Sequence, residues 1–89
     1  MILKSYTKNP VRVEAVQVEK IWFPNIALWC NGLVAEYVDR EGNLVECVEV
    51  NTNEGIVTAR VGDYIVKWSE IDFTVCPEEY FKYTYTECE

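Results

Sequence analysis

The side chains best suited to bond making are 4 cysteines and 15 carboxylates, and histidine, the commonest partner base, is absent. Without it no Cys-His or Ser-His pair can form, which removes the usual activated nucleophiles. Carboxylate pairs remain, Glu78 with Glu79 and Glu70 with Asp72, and two acids divide acid and base roles when their environments differ. Neighbouring acids on a wet strand face are far more often plain surface charge, so no catalytic residue is assigned and the chain is read as a non-enzyme. Cys30, Cys47, Cys76 and Cys88 are enough for one tetrahedral zinc site. Zinc ligands usually pair about two to four residues apart, however, and no two of these cysteines do. They are read as small buried hydrophobes, with Cys88 near the end as an exposed thiol. No metal and no cofactor is expected.

Binding chemistry is better represented. Trp22 and Phe23 precede Pro24 in a connecting segment and are expected to form an exposed aromatic anchor of the kind that dominates interface energetics. Tyr64, Lys67 and Trp68 combine two stacking rings with one cation, which would serve a small ligand such as a nucleotide at a barrel mouth or dimer seam. Glu36, Asp39, Glu41, Glu46, Glu49 and Glu54 fall on or beside one expected hairpin, where they would face a basic partner at strand spacing, in the manner of a nucleic-acid mimic. Gly62-Asp63 reads as a hairpin turn and not a phosphate cradle, because Asp63 would repel the phosphate.

The elements that must position these residues are short. With 89 residues, 49% of them hydrophobic, the chain has room for one domain, residues 1–89, around one core. Residues 11–18 are β-branched, and their apolar face shifts at Ala15-Val16, implying a bulge or a strand covered on both sides. Residues 24–32 begin with Pro and end with Gly, the signature of a short helix, and their nearly encircling apolar residues place it in the core. From Leu33 the chain reads as a meander of strands at 33–38, 44–50, 56–61, 64–68 and 71–75, separated by turn-forming residues. In the last of these Ile71, Phe73 and Val75 should face a dry side, with Asp72 and Thr74 on the wet one. A final helix is expected at 77–81, and the Tyr-Thr alternation after it reads equally as an extended segment pairing with a sheet edge. The expected fold is α+β and mostly β: a small curled antiparallel sheet, barrel-like or a sandwich, with one or two short helices. Barrel closure, or an edge strand that makes a homodimer, should deal with exposed edges.

The formal charge of −7 and the even spread of the eight basic residues argue against direct nucleic-acid binding, and no apolar stretch approaches the roughly 20 residues that span a bilayer. Residues 1–6 lack a charged segment followed by an apolar one, so no signal peptide is read and a cytoplasmic location is expected.

Several blocks resemble one family over nearly the whole chain. Tyr6, Lys8, Pro10, Val11, Val13, Glu14, Ala15, Val16 and Gln17 match a Y-x-K-x-P-V-x-V-E-A-V-Q opening. Trp29-Cys30 ahead of Gly32, Thr52-Asn53-Glu54-Gly55 with Ala59, and Gly62-Asp63-Tyr64-Ile65-Val66-Lys67 follow in the order of that family's W-C/Gly helix end, T-x-E-G hairpin and G-D-W/Y-I-I-K block. The chain is thus similar to a widespread family of small uncharacterised proteins encoded by tailed bacteriophages and prophages. Its last third departs, losing the family's glycine turn near Ser69-Glu70 and keeping only Phe73, Cys76-Pro77 and the final aromatics. The resemblance implies action inside an infected bacterium and brings no general biochemical activity with it. The expected function is a non-enzymatic phage accessory protein that binds a host or phage protein, in a form that would inhibit a host defence or nucleic-acid-processing system. Small-ligand sequestration and a minor virion role are the alternatives.

Overall fold

A computed structural model describes residues 1–8 and 11–87. The register of the central strand explains the shifted apolar face noted above. Val13 and Ala15 are buried on one side and Val16 on the other, with unbroken pairing to both neighbours, so the strand is covered on both faces and carries no bulge. The one irregularity in the sheets lies elsewhere, between Lys67 and Ser69.

The elements run β1 (Lys4–Lys8), β2 (Val11–Gln17), a 3-10 turn (Lys20–Trp22), α1 (Phe23–Trp29), β3 (Leu33–Val38), β4 (Leu44–Thr52), β5 (Gly55–Ala59), β6 (Tyr64–Ser69), β7 (Asp72–Cys76), α2 (Glu78–Thr84) and β8 (Thr86–Glu87). They form two antiparallel sheets, β7-β6-β2-β1-β8 and β3-β4-β5. The α+β, mostly β reading stands. Of the two forms expected, the sandwich of two sheets is the one observed and the closed barrel is not: the meander breaks after β5, and β6 leaves β5 to pair with β2.

The larger sheet is the middle layer. One face holds Val13, Ala15, Val66 and Cys76 beneath Phe81 and Tyr85 at the α2 end of the chain. The other brings Val16, Ile65 and Phe73 against Phe23, Ile26 and Ala27 of α1 and against Val48, Val50 and Ala59 of the smaller sheet. A fully buried aliphatic or aromatic side chain contributes about 1.5–3 kcal/mol, and no buried side-chain polar atom among the described residues lacks a partner.

The α1 helix stops for a reason the glycine alone does not explain. Asn31, at φ 56°, takes the left-handed position, and the Gly32 N–H donates to the Ala27 carbonyl at 2.8 Å, closing a Schellman motif. Gly32 is needed for contact instead: a Cβ there would meet the Glu49 carbonyl oxygen of β4 at 2.1 Å. The helix is also less enclosed than its composition suggests, since Leu28 is 83% exposed.

β1 was not foreseen, because Lys4, Ser5, Thr7 and Lys8 carry little apolar signal and the strand is held by ladder bonds to β2. The expected strand at 71–75 lies one residue later, with Ile71 exposed in the turn and Cys76 buried under α2. Its face is still split as expected at Phe73, buried, and Thr74, exposed. α2 continues to Thr84, and among the described residues Thr86 and Glu87 pair with the β1 edge.

Candidate functional site

Strand alternation decides what β6 can offer. Tyr64, Val66 and Trp68 point to the α2 side, and Ile65 and Lys67 to the other. The Tyr64 ring is stacked on Phe81, with centroids 3.8 Å apart. Trp68 packs edge-on to Tyr85 and donates its indole N–H to Thr74 Oγ1 at 2.9 Å. Lys67 Nζ instead lies 5.7 Å from the Trp29 ring and 5.8 Å from that of Phe73, and forms an ion pair with Glu70 at 3.3 Å. The expected trio therefore does not assemble at a barrel mouth. Lys67 and Trp68 share only the rim of a shallow cavity of about 330 Å³, bordered also by Arg12, Glu14 and Glu70.

The aromatic anchor is corrected in the same way. Phe23 is 2% exposed and belongs to the main core, while Trp22 is half-buried against it. The segment before Pro24 is a 3-10 turn leading directly into α1, so both rings are drawn inward by the helix they precede.

Groups that might have served as nucleophiles are held protonated. Burial pushes the Cys76 thiol up to about 11, with Asp63 adding to it, and pushes the Tyr85 phenol up to about 12, with Cys76 and Tyr80 adding. Burial also raises Cys30 and Cys47. All three described cysteines are buried free thiols, as the spacing implied, and Cys88 lies outside the described residues. Three of the four paired carboxylates are occupied individually: Asp72 Oδ1 accepts from Asn53 at 3.0 Å, Glu70 pairs with Lys67, and Glu78 accepts from Gln17 and pairs with Lys82. Asp63 Oδ2 accepts the Arg60 backbone N–H at 2.8 Å, which makes Gly62-Asp63 a turn.

The acidic hairpin survives in part. Glu36 of β3 and Glu46 of β4 stand directly opposite each other, and among the described residues Glu46 alone of the six acids has a cation, Lys20 at 3.1 Å. Asp39 is spent on the turn, its Oδ1 accepting the backbone N–H groups of Glu41 and Asn43 at 2.9 Å each. Glu41 and Glu54 sit in turns, and Glu49 is on the opposite sheet face from Glu36 and Glu46, because alternation sends it away. The six acids do not form one face.

What the register does assemble is a stripe not foreseen from sequence. Val34, Glu36 and Val38 on β3, with Leu44 and Glu46 on β4, share one face; the valines are 45% and 64% exposed and Leu44 69%. Farther along the same face Val48 and Val50 are fully buried. The clue was present in residues 33–38, which are apolar on both faces of a strand that has only one core to cover. Comparison with protein-family models, curated proteins and solved structures finds no match for this chain. No helix among the described residues is long and apolar enough to cross a membrane.

Proposed function

We propose that this protein is a non-enzymatic phage accessory protein that acts inside the infected bacterium by binding a host or phage protein. The observation that carries the reading is the face of the β3–β4 hairpin on which exposed Val34, Val38 and Leu44 alternate with Glu36 and Glu46. An apolar stripe interrupted by carboxylates supplies contact area and electrostatic steering together, which suits a protein surface better than a small molecule. The resemblance of the sequence blocks to phage-encoded proteins supports the setting. Sequestration of a nucleotide has weaker support, since the rings of Tyr64 and Trp68 are already packed against Phe81 and Tyr85.

The test is affinity purification from expressing bacteria at low salt, with the wild type beside a Val38→Asp/Leu44→Asp double variant. Both positions are exposed, so the variant keeps its core. The reading expects a specific protein recovered with the wild type and lost with the variant. Recovery of no specific protein, or equal recovery with both, would remove it.

A further inference from the structure

We infer that β3 is a docking edge for an extended segment of a partner protein, which adds as a fourth strand and carries a basic residue flanked at alternate positions by apolar ones. This rests on the protein-binding reading above and names what is bound.

The backbone comes first. β3 is an outer strand of the β3-β4-β5 sheet, and its six residues pair with β4 in unbroken register from Leu33 opposite Glu49 to Val38 opposite Leu44. The Asp39 N–H donates to the Asn43 carbonyl at 2.9 Å, making that pair hydrogen-bonded. Hydrogen-bonded and non-bonded pairs alternate in an antiparallel ladder, so Tyr37, Ala35 and Leu33 direct their peptide groups at β4. Val34, Glu36 and Val38 direct theirs outward. Of the usual devices that blunt an edge the strand has only the charge of Glu36: it contains no proline, no lysine or arginine and no bulge.

Side chains then state the partner's pattern. The three residues with outward peptide groups also share the exposed face, in the order apolar, acidic, apolar. A strand laid beside them places its own residues opposite in the same alternation, where an opposite charge stabilises and a like charge destabilises. Glu36 forms no ion pair among the described residues, and the carboxylate across from it, Glu46, adds negative potential that Lys20 only partly offsets. Arginine or lysine opposite Glu36, with valine-like residues opposite Val34 and Val38, satisfies every position.

A second copy of this chain fits less well. Antiparallel self-pairing centred on Glu36 would bring Glu36 against its own equivalent between molecules of net charge −7. Registers displaced by one step set Glu36 against a valine, and those displaced further carry it past the ends of β3, opposite Gly32 or the turn residue Arg40. Charge complementarity therefore favours a basic segment, bound by strand addition.

The probe is a capped peptide of roughly nine residues, long enough for one strand, bearing valine, arginine and valine at alternate positions among threonines. A control peptide has glutamate for arginine. Binding to the full chain is measured by calorimetry at low and high salt, with hydrogen exchange of individual amides followed by NMR. The arginine peptide should bind about tenfold or more tightly than the glutamate peptide, lose affinity in salt, and slow exchange at Val34, Glu36 and Val38. In Glu36→Lys the preference should reverse, an outcome that loss of folding cannot imitate.

Equal binding of both peptides, or no reversal in Glu36→Lys, would overturn the docking edge. So would a wild-type dimer in which those amides are already protected, because a second copy would then hold the strand. Peptide failure with a cellular protein still lost on Val38→Asp/Leu44→Asp would remove this edge and leave the protein-binding reading standing. Failure of both would remove both.

Discussion

The Tyr64 ring lies flat on that of Phe81, centroids 3.8 Å apart and planes 5° from parallel. Phe81 also meets Tyr85 at 4.8 Å and receives the edge of Tyr6 at 4.7 Å, so one ring ties α2 to β1 and β6. Phe81 on α2 and Tyr85 at its C-cap thus close the outer face of the larger sheet. A residue type that suggested ligand stacking is used for internal stacking instead.

Replacing Phe81, 2% exposed, by alanine should cost about 3–5 kcal/mol through lost burial and the cavity left behind. That is much of the ~5–15 kcal/mol typical of folded domains. Urea unfolding should show a large drop in midpoint for Phe81→Ala and a smaller one for Phe81→Leu. Equal, small effects would show that α2 contributes little to the fold.

Alkaline pH should weaken the protein, with the largest shifts at Cys76 and Tyr85. Folded Cys76, at about 11, lies above its ordinary 9.0, and folded Tyr85, at about 12, above its ordinary 10.0. The folded chain keeps protons that the unfolded chain releases, so stability declines as pH rises, from 9 toward 11 for Cys76 and from 10 toward 12 for Tyr85. Below pH 9 these two groups contribute no slope. Tyr85→Phe should flatten the upper part of the decline in a series of urea midpoints against pH. An unchanged slope would place the phenol in contact with solvent.

At the end of α1 the two neighbouring residues should respond very unequally to substitution. Gly32→Ala forces a Cβ to 2.1 Å from the Glu49 carbonyl oxygen and 3.0 Å from Cys30 Sγ, and should destabilise by roughly 1–3 kcal/mol as α1 and β4 separate. Asn31→Gly relieves a left-handed non-glycine residue but removes the hydrogen bond its side-chain amide donates to the Glu70 carbonyl at 3.1 Å, and should be near neutral. Thermal melts of the two variants check the pair, and a stable Gly32→Ala would contradict the close approach.

Thiol labelling should report opening of the fold. Cys30, Cys47 and Cys76 are 0%, 1% and 8% exposed, and burial keeps each in the unreactive thiol form. Mass spectrometry after a brief alkylation pulse should find these three unmodified in native buffer and modified together as urea passes the unfolding midpoint. Early modification of Cys47 alone would show that the smaller sheet opens independently.

The elements were largely legible because turn residues and apolar alternation are local signals. Residues 33–38 and 64–68 announced strands through their β-branched and aromatic content, and Pro24 marked a helix start. β1 was not legible, since only Tyr6 among Lys4 to Lys8 carries an apolar signal and the strand is held mainly by pairing with β2. The candidate site was legible by residue type and not by arrangement: Tyr64 and Lys67 look like neighbours in sequence, yet their odd separation puts them on opposite faces of β6.

What the sequence determined by itself was the mostly β class, the absence of histidine chemistry, the buried nature of three cysteines and the acidic balance. These follow from composition and from periods of a few residues. Only the tertiary structure decided that the meander divides into two sheets, that Phe23, Tyr64 and Trp68 are consumed by packing, and that Val34, Glu36 and Val38 line an open edge. Such outcomes depend on which distant strands pair and which faces are then covered, and pairing between β2 and β6 leaves no mark on either strand alone.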